Sequence, residues 1–384
     1  MIRILLLIDL SNDFDRSLFR GIVRYSKENG PWLFYRLPSY YSSDMYGEKS
    51  IIEWAKEWKA DAIIGQWNDD AVSLLKELNI PVVLQNYHHR STTYSNLTGN
   101  YKGTGRMAAQ FFAKRLYYNF AFFGIKGVVW SDERCEGYRT EAERNNGNFY
   151  CFEYGQGLDE IRSQVSLWLH QLPKPVALFC CDDAHALIIS EICKFENINI
   201  PEEISLLGVD NDELICNISD PPISSIELEV EQGGYAMGRL LHQQIQKELE
   251  GPFNIVINPT RLELRQSTEK HNIKDPYVLK IVKHIEGNCS PDMTIKSLIS
   301  QIPLSRRNIE LRFKQAVNTS IYQYVLEYRV DRFANLLLTT DRHMADIAAE
   351  VGFKDYNNIS RVFKKFKGCS PQEYRQKKSS IKIR

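Results

Sequence analysis

The eight cysteines, at 135, 151, 180, 181, 193, 216, 289 and 369, form no C-x-x-C pair. Such spacing excludes a zinc ribbon and a secreted disulfide framework, and reads as reduced thiols in a cytosolic protein with no structural metal. Long apolar runs are also missing. The opening run Ile4 to Ile8 stops at Asp9, and nothing later approaches the ~18 residues of a membrane span. A soluble, cytoplasmic protein with no membrane partner is expected. Net charge is absent as well: 48 basic and 48 acidic residues cancel, so the global balance points to neither nucleic acid nor membrane. What is present is a chain of 384 residues, 43% apolar and 25% charged, enough for two or three domains with a sizeable core.

The neutral average hides a division. Residues 275–384 hold 20 Lys and Arg against 11 Asp and Glu, a net of +9, which leaves −9 on residues 1–274. Hydropathy changes at the same place. Before it, short β-branched or Leu-rich runs alternate with amphipathic stretches. Strands are expected at Arg3 to Ile8, Leu33 to Leu37, Ala62 to Gly65, Val82 to Gln85, Phe120 to Phe123, Ala177 to Cys180 and Ser205 to Gly208. Helices such as Leu18 to Asn29 and Gly103 to Arg115 fall between them. This is the pattern of doubly wound parallel sheets, an α/β architecture whose ligands bind beyond the carboxyl ends of the strands. After Asp275 only helical periodicity remains. The expected organisation is an α/β domain over 1–267, a linker over 268–276 and an all-α domain over 277–384.

In the basic part, Thr294 to Lys314 reads as helix, turn at Ile302-Pro303-Leu304, Ser305 cap and second helix. A second such unit runs from Asp346 through Gly352 to a helix that Asp355 can cap, and one longer helix, Ile321 to Thr339, joins the two. Helices of this kind fit the DNA major groove, with Arg and Asn near their starts reaching base edges and Lys or Arg neutralising phosphates. A basic solvated bundle is the alternative for a stretch of this charge. The elements I-A-x-x-V-G-F, R-x-F-K-x-x-x-G and S-P-x-x-Y-R occur in order between Asp346 and Arg375, and in this the segment resembles the second helix-turn-helix of AraC/XylS transcription regulators. The upstream half is similar to that family's first unit, departing at Asn318, where Gly is usual, and the second unit departs at Asn357, Asn358 and Ile359, where Ser-Tyr-Phe is common. The resemblance implies a first recognition helix presenting Arg306, Arg307, Glu310 and Lys314. It implies a second presenting Tyr356, Asn357, Asn358 and Arg361, with Lys354, Lys364 and Lys365 on phosphates and paired major-groove half-sites as the target.

In the acidic part, three clusters follow strand ends: Asp9 to Arg16, Ser131 to Arg139, and Cys181-Asp182-Asp183 with Gly208 to Asp212. A carboxylate, a guanidinium and an aromatic at a strand end suit a sugar, whose hydroxyls take bidentate charged partners and whose ring takes an aromatic face. A polar loop capping a helix is the plainer reading of the first cluster. Arg134 is expected just ahead of a helix. Together with "IPEEISLLGVDND" from Ile200, "PPISSIELEVEQGGYAMGRLL" from Pro221 and "RLELRQST" from Arg261, these clusters resemble the ligand-binding domain of LacI/GalR regulators, a two-lobed fold of the periplasmic-binding-protein type. Asp182 departs from that pattern, where Asn is usual, as does Gly99, where Asp is common. The resemblance implies that Asp15, Arg16, Arg134, Asp183, Asp210 and Asn211 hold a small sugar, with Phe14 as stacking face.

A LacI-like sensor followed by an AraC-type reader is the order found in regulators of pentose operons. It implies a homodimer that binds an operator, takes a pentose effector, works with RNA polymerase if it activates, and uses no cofactor. Another sugar, an oligosaccharide or a protein partner for the sensor is the alternative. A carboxylate pair drawn from Asp182, Asp183 and Asp210 doing acid/base work on a glycoside is a more distant one. Gly103-x-Gly105-x-x-Ala108 matches a dinucleotide fingerprint, but no strand runs directly into it and it is far from the first strand. Close helix packing is the expected reason for its glycines.

Overall fold

The computed structural model describes residues 1–36, 47–86, 88–155, 158–287, 293–353 and 356–377. The chain forms two compact units. One takes in 1–113 and 117–270, the other 114–116 and the described residues from 271 to 377.

The first unit contains two six-stranded sheets of the same plan. Strands β1 (Ile2–Leu7), β2 (Trp32–Arg36), β3 (Ala62–Gly65), β4 (Val82–Leu84), β5 (Ser95–Gly99) and β11 (Asn254–Ile257) run in the order β11-β5-β4-β3-β1-β2. In the second lobe, β6 (Asn119–Ile125), β7 (Asn148–Tyr154), β8 (Val176–Cys180), β9 (Ile204–Val209), β10 (Ser224–Leu228) and β12 (Pro259–Glu263) run β12-β10-β9-β8-β6-β7. All pairings are parallel except β10 with β12.

The first strand of each lobe is apolar from Ile4 and from Phe120 onward because both faces are covered. Ile4 and Leu6 pack with Leu18 and Ile22 of α1 (Asp13–Asn29) and Met237 and Leu240 of α8 (Val230–Ile245). Leu5 and Leu7 point the other way, toward Ile51 and Ala55 of α2 (Gly47–Trp58). In the second lobe Phe120 and Phe122 meet α3 (Tyr101–Lys114) and α4 (Val129–Arg144), while Ala121 and Phe123 face α5 (Leu158–Gln171) and α6 (Asp183–Phe195).

Glycines let helices touch. A Cβ on Gly105 would stand 2.1 Å from the Arg134 carbonyl oxygen, and one on Gly137 would stand 2.1 Å from that of Lys102. The glycines of the G-x-G-x-x-A stretch thus lie in and at the start of α3, where Gly105 brings α3 against α4.

Three chain crossings join the lobes, at Asn100, Glu229 and Asn258. Glu229 Oε1 accepts from the Asn258 backbone N at 3.1 Å and from Asn258 Nδ2 at 2.6 Å, and Asn100 Nδ2 donates to Asn258 Oδ1 at 3.3 Å. The buried Glu229 therefore ties two crossings together, and Asn100 adds the third.

Five strands went unrecognised in the sequence: β5, β7, β10, β11 and β12. Polar Ser95, Asn96 and Thr98 are buried in β5 yet break the apolar pattern. The linker expected over 268–276 begins inside this unit, which runs to Lys270: Thr268 Oγ1 lies 2.7 Å from Ser224 Oγ, beside Ser267 Oγ, which accepts from Ser224 N at 2.8 Å.

The second unit is helical, with α9 (Pro276–Gly287), α10 (Ile295–Ile299), α11 (Arg306–Val317), α12 (Ile321–Thr339), α13 (Met344–Glu350), α14 (Tyr356–Lys367) and α15 (Pro371–Lys377). It holds two small cores. Ile309 and Phe313 of α11 belong to the first, Ile347, Ile359 and Phe363 to the second, and α12 contributes Ile321 and Val325 to one and Phe333 and Leu337 to the other. No helix among the described residues is long and apolar enough to cross a membrane.

Candidate effector cleft and nucleic-acid interface

In both sheets the strand order reverses at the first strand, between β1 and β3 and between β6 and β8. Ligands of doubly wound sheets bind where helices depart to opposite faces at such points. The segments that emerge there are Asp9 to Arg16 after β1, α4 after β6, and Cys181 to Asp183 after β8.

Helix α1 starts at Asp13, five residues earlier than the apolar pattern indicates, because Asn12 caps it: Asn12 Oδ1 accepts from Asp15 N at 2.8 Å. Phe14, Asp15 and Arg16 therefore sit in a helical turn instead of a loop. The Asp15 carboxylate is 2% exposed and accepts from Asp9 N at 3.0 Å and Asn12 Nδ2 at 3.3 Å. Burial raises its pKa to about 6 against the lowering effect of the Asn12 and Asp9 hydrogen bonds. Arg16 donates to the carbonyls of Leu10 and Ser11 and reaches Asp212 of the other lobe at 3.8 Å.

Arg134 lies inside α4, not ahead of it, since the turn at Gly127 (φ +77) lets the helix begin at Val129. The side chain is nearly fully buried. Its guanidinium donates to the Cys181 carbonyl, stacks 5.5 Å from the rings of both Tyr101 and Trp130, and comes within 3.5 Å of Asp210 Oδ1. That last contact has no hydrogen-bond geometry. Arg134 Nε and Asp210 Oδ1 are both buried without a hydrogen-bond partner, a costly arrangement for charged groups unless something else satisfies them. The Asp210 carboxyl is pushed up to about 6 by burial, pulled down by Arg134, and raised again by Asp182, Asp212 and Asp15 around it.

Asp210 and Asn211 hold positive φ, +100° and +56°, a conformation that non-glycine residues adopt at a cost. Asp183 braces this turn. Its two oxygens accept from Asp212 N at 2.8 Å and Ser225 Oγ at 2.6 Å, and a Cβ on Gly208 would stand 2.1 Å from Asp183 Oδ1. Asn211 N donates to Ser225 Oγ at 3.0 Å, and Asn211 Oδ1 accepts from Arg265 at 2.9 Å. Both Asp183 and Asn211 are thus committed to holding the loop. Asp182 caps α6 and contacts His185 Nδ1 at 2.6 Å, while His185 Nε2 meets Tyr154 Oη at 2.7 Å.

A cavity of about 640 Å³, within the range of small-molecule sites, is lined by Phe14, Arg16, Asp210, Asn211 and Asp212 together with Arg20, Glu227 and Glu231, while Arg134, Asp15 and Asp183 lie outside its lining. Phe14 also faces a much smaller pocket of about 10 Å³ beside Gln85, Thr98 and Tyr101. The lobes are further joined by Arg90, whose terminal nitrogens donate to both oxygens of Glu133 at 2.7 and 2.9 Å, and by His88 Nδ1, 2.8 Å from the Gly127 carbonyl. Sequence reasoning missed Tyr101, Trp130 and Arg90, and gave Glu133, inside the Ser131 to Arg139 cluster, no role of its own. Trp130 is four residues before Arg134, so a helix reading of that stretch puts it on the same face; the others become neighbours only through the tertiary fold.

In the helical unit, Ser305 Oγ accepts from Asn308 N at 3.3 Å and starts α11. Arg306, Arg307, Glu310 and Lys314 are exposed along it, with Arg306 Nε 2.8 Å from Glu310 Oε1. Asn318, where Gly is usual, ends α11 in the left-handed region at φ +57°, ψ +17°, the conformation Asn tolerates best after Gly. On α14, Asn357, Asn358, Arg361, Lys364 and Lys365 are exposed. Tyr356 is half-buried, its hydroxyl donating to Met344 Sδ at 3.4 Å, and Ile359 is fully buried, so its departure alters the core and not the exposed face. Lys354 and Asp355 lie outside the described residues.

The family description "periplasmic binding protein-like domain" matches residues 109–268 and "helix-turn-helix domain" matches 298–377. Among curated relatives, the xylose operon regulatory protein of Haemophilus influenzae is 26% identical, covering 97% of this chain and 98% of its own. That of Escherichia coli K12 is 25% identical over 99% and 98%. Among solved structures, a xylose-binding transcription activator superposes with a TM-score of 0.60 at 22% identity, covering 98% of both chains.

The chain is a transcription regulator that joins a periplasmic binding protein-like domain to a helix-turn-helix domain. The regulator's α/β fold also matches, with a TM-score of 0.59 and 20% identity, a transcriptional regulator solved with cellobiose, over 69% of this chain and 84% of that one.

Proposed function

We propose that this regulator is a sugar-responsive, sequence-specific activator of pentose catabolic genes, with a D-xylose-type effector bound between the lobes. The observation that carries the reading is the buried pair of atoms Arg134 Nε, on α4, and Asp210 Oδ1, after β9, neither with a hydrogen-bond partner although the two side chains form an ion pair at 3.5 Å. Sugar hydroxyls are donors and acceptors at once and satisfy both. The relatives and the similar structure named for xylose support the choice of sugar. Asp15 and Arg16 supply the first lobe's polar contacts and Phe14 its apolar face. Asp183 and Asn211 act on the sugar by holding the Asp210 turn.

Coupling needs only that the sugar bind one lobe arrangement more tightly than another. The protein acts as a cytoplasmic homodimer on paired half-sites and recruits RNA polymerase. Arg306, Arg307, Glu310 and Lys314 face one major groove, and Asn357, Asn358 and Arg361 face the next, Tyr356 standing at the edge of that helix. Lys354, Lys364 and Lys365 contact phosphates. The protein binds its sugar without turning it over on this reading, which is supported by both Asp183 oxygens accepting hydrogen bonds and by His185 holding Asp182, so that neither carboxylate stands free as the acid or base of glycoside hydrolysis.

A thermal-shift panel of D-xylose, L-arabinose, D-ribose and D-glucose tests the assignment, because a ligand of the native state raises its stability by mass action. One pentose is expected to raise Tm selectively; no shift with any sugar contradicts the reading.

A further inference from the structure

Between α4 and β7, three metal-ligating side chains meet that the cleft does not use. Cys151 and Glu153 are two residues apart on β7, so both project from one face of the sheet. Helix α4 packs on β7 and places the Cys135 sulfur 3.6 Å from that of Cys151. The two sulfurs and the Glu153 carboxylate all lie within 4.8 Å of one another.

The separation discriminates between uses. Two thiolates at about 2.3 Å from a tetrahedral zinc ion stand roughly 3.7 Å apart, so the sulfurs are already spaced for a metal. A disulfide at about 2.05 Å requires them to close by roughly 1.5 Å between a packed helix and strand. Access is provided too: Cys135 is buried, while Cys151 and Glu153 are half-buried on the edge strand of the sheet. A second cluster, Cys181 with Asp182 and His185, is less suited. Cys181 is wholly buried, and both His185 ring nitrogens are engaged, by Asp182 and by Tyr154.

We propose that Cys135, Cys151 and Glu153 form a binding site for a thiophilic divalent cation of the zinc class. The ion displaces the two thiol protons into solvent, Glu153 supplies the third ligand, and water completes a four-coordinate shell. Because Cys135 follows Arg134, the ion fastens to β7 the turn of α4 that carries the cleft's guanidinium.

The test is a Co²⁺ titration of the full chain kept reduced. One equivalent is expected to develop an intense near-ultraviolet thiolate-to-cobalt band that Zn²⁺ abolishes. Cys151→Ser is expected to remove the band, Glu153→Gln to weaken cobalt binding at least tenfold, and Cys181→Ser to leave it intact. As Cys135 is buried and its replacement can disturb folding, the decision rests on the half-buried Cys151 and Glu153. A wild-type chain without a stoichiometric band, a band undiminished in Cys151→Ser, or a band lost in Cys181→Ser overturns the proposal.

Discussion

Glu133 presents both carboxylate oxygens to the two terminal nitrogens of Arg90, at 2.7 and 2.9 Å, and so clasps one lobe to the other. Arg90 is itself aimed by Thr98, whose Oγ1 accepts from its Nε at 2.9 Å. Bidentate geometry makes this stronger than an ordinary surface pair, which contributes about 0–1 kcal/mol. Its position matters more than its strength. The clasp favours this arrangement of the lobes before any ligand arrives.

Glu133→Gln is therefore expected to open the unliganded chain and to weaken effector binding several-fold, chiefly through faster dissociation. Solution scattering and stopped-flow binding check this. A scattering profile and a dissociation rate identical to the wild type contradict it.

The raised pKa values of Asp15 and Asp210, both about 6, give stability a pH signature. The folded chain holds protons on these groups between the ordinary carboxylate range and pH 6 that the unfolded chain has released. Their contribution is thus fully present below about pH 4 and lost as pH rises through 6. Asp210→Asn cannot lose it, so the wild type should fall in Tm relative to this variant between about pH 4 and 6 and change little above that. An offset that does not vary with pH contradicts the assignment.

Asp183→Ala strips the acceptors from the Asp212 amide and the Ser225 hydroxyl. Leaving buried donors unsatisfied costs about 1–3 kcal/mol each. A lowered denaturation midpoint together with weakened effector binding is expected; a midpoint equal to the wild type means that the turn is held by something else.

Asn318 occupies the left-handed end of α11. Asn318→Ala places a Cβ residue without Asn's local hydrogen bonding there, at a cost of about 1 kcal/mol, whereas Asn318→Gly should be neutral or mildly stabilising. Urea titration of the two variants distinguishes them, and equal destabilisation by both counts against a conformational cause.

On DNA, Arg361→Ala should cost about 1–3 kcal/mol and relax preference at its contacted bases. Lys364→Ala should weaken binding uniformly and reduce the slope of log K against log salt by about 1. Quantitative gel shifts at several salt concentrations read both. A salt-independent affinity contradicts a phosphate-dominated interface.

The sheets were legible where both faces are buried. Ile4 to Leu7 and Phe120 to Phe123 are apolar throughout because alternate residues enter different cores. Strand β5 was not, since Asn96 and Thr98 satisfy their polar groups through Ser91 and Arg90 in the turn just before it and through Asn254 of the distant β11. Arg134 and Asp210 could be picked out as charged groups after strands, but Asp183 and Asn211 looked alike to them in sequence. Only the fold shows that the latter two spend their oxygens on the loop. The faces of α11 and α14 were those that the AraC/XylS resemblance implied, and all but one of the described residues named on them are exposed; Tyr356 turned inward because Met344 lies beside it.

The central claim is that a pentose binds between the lobes through Arg134 and Asp210. Isothermal titration calorimetry of D-xylose into the full chain, and into an Arg134→Ala variant shown by circular dichroism to be folded, tests it most directly. The account predicts one site in the wild type and at least a hundredfold loss in the variant. Equal affinity in both proteins, or no binding of D-xylose to the wild type, would contradict it.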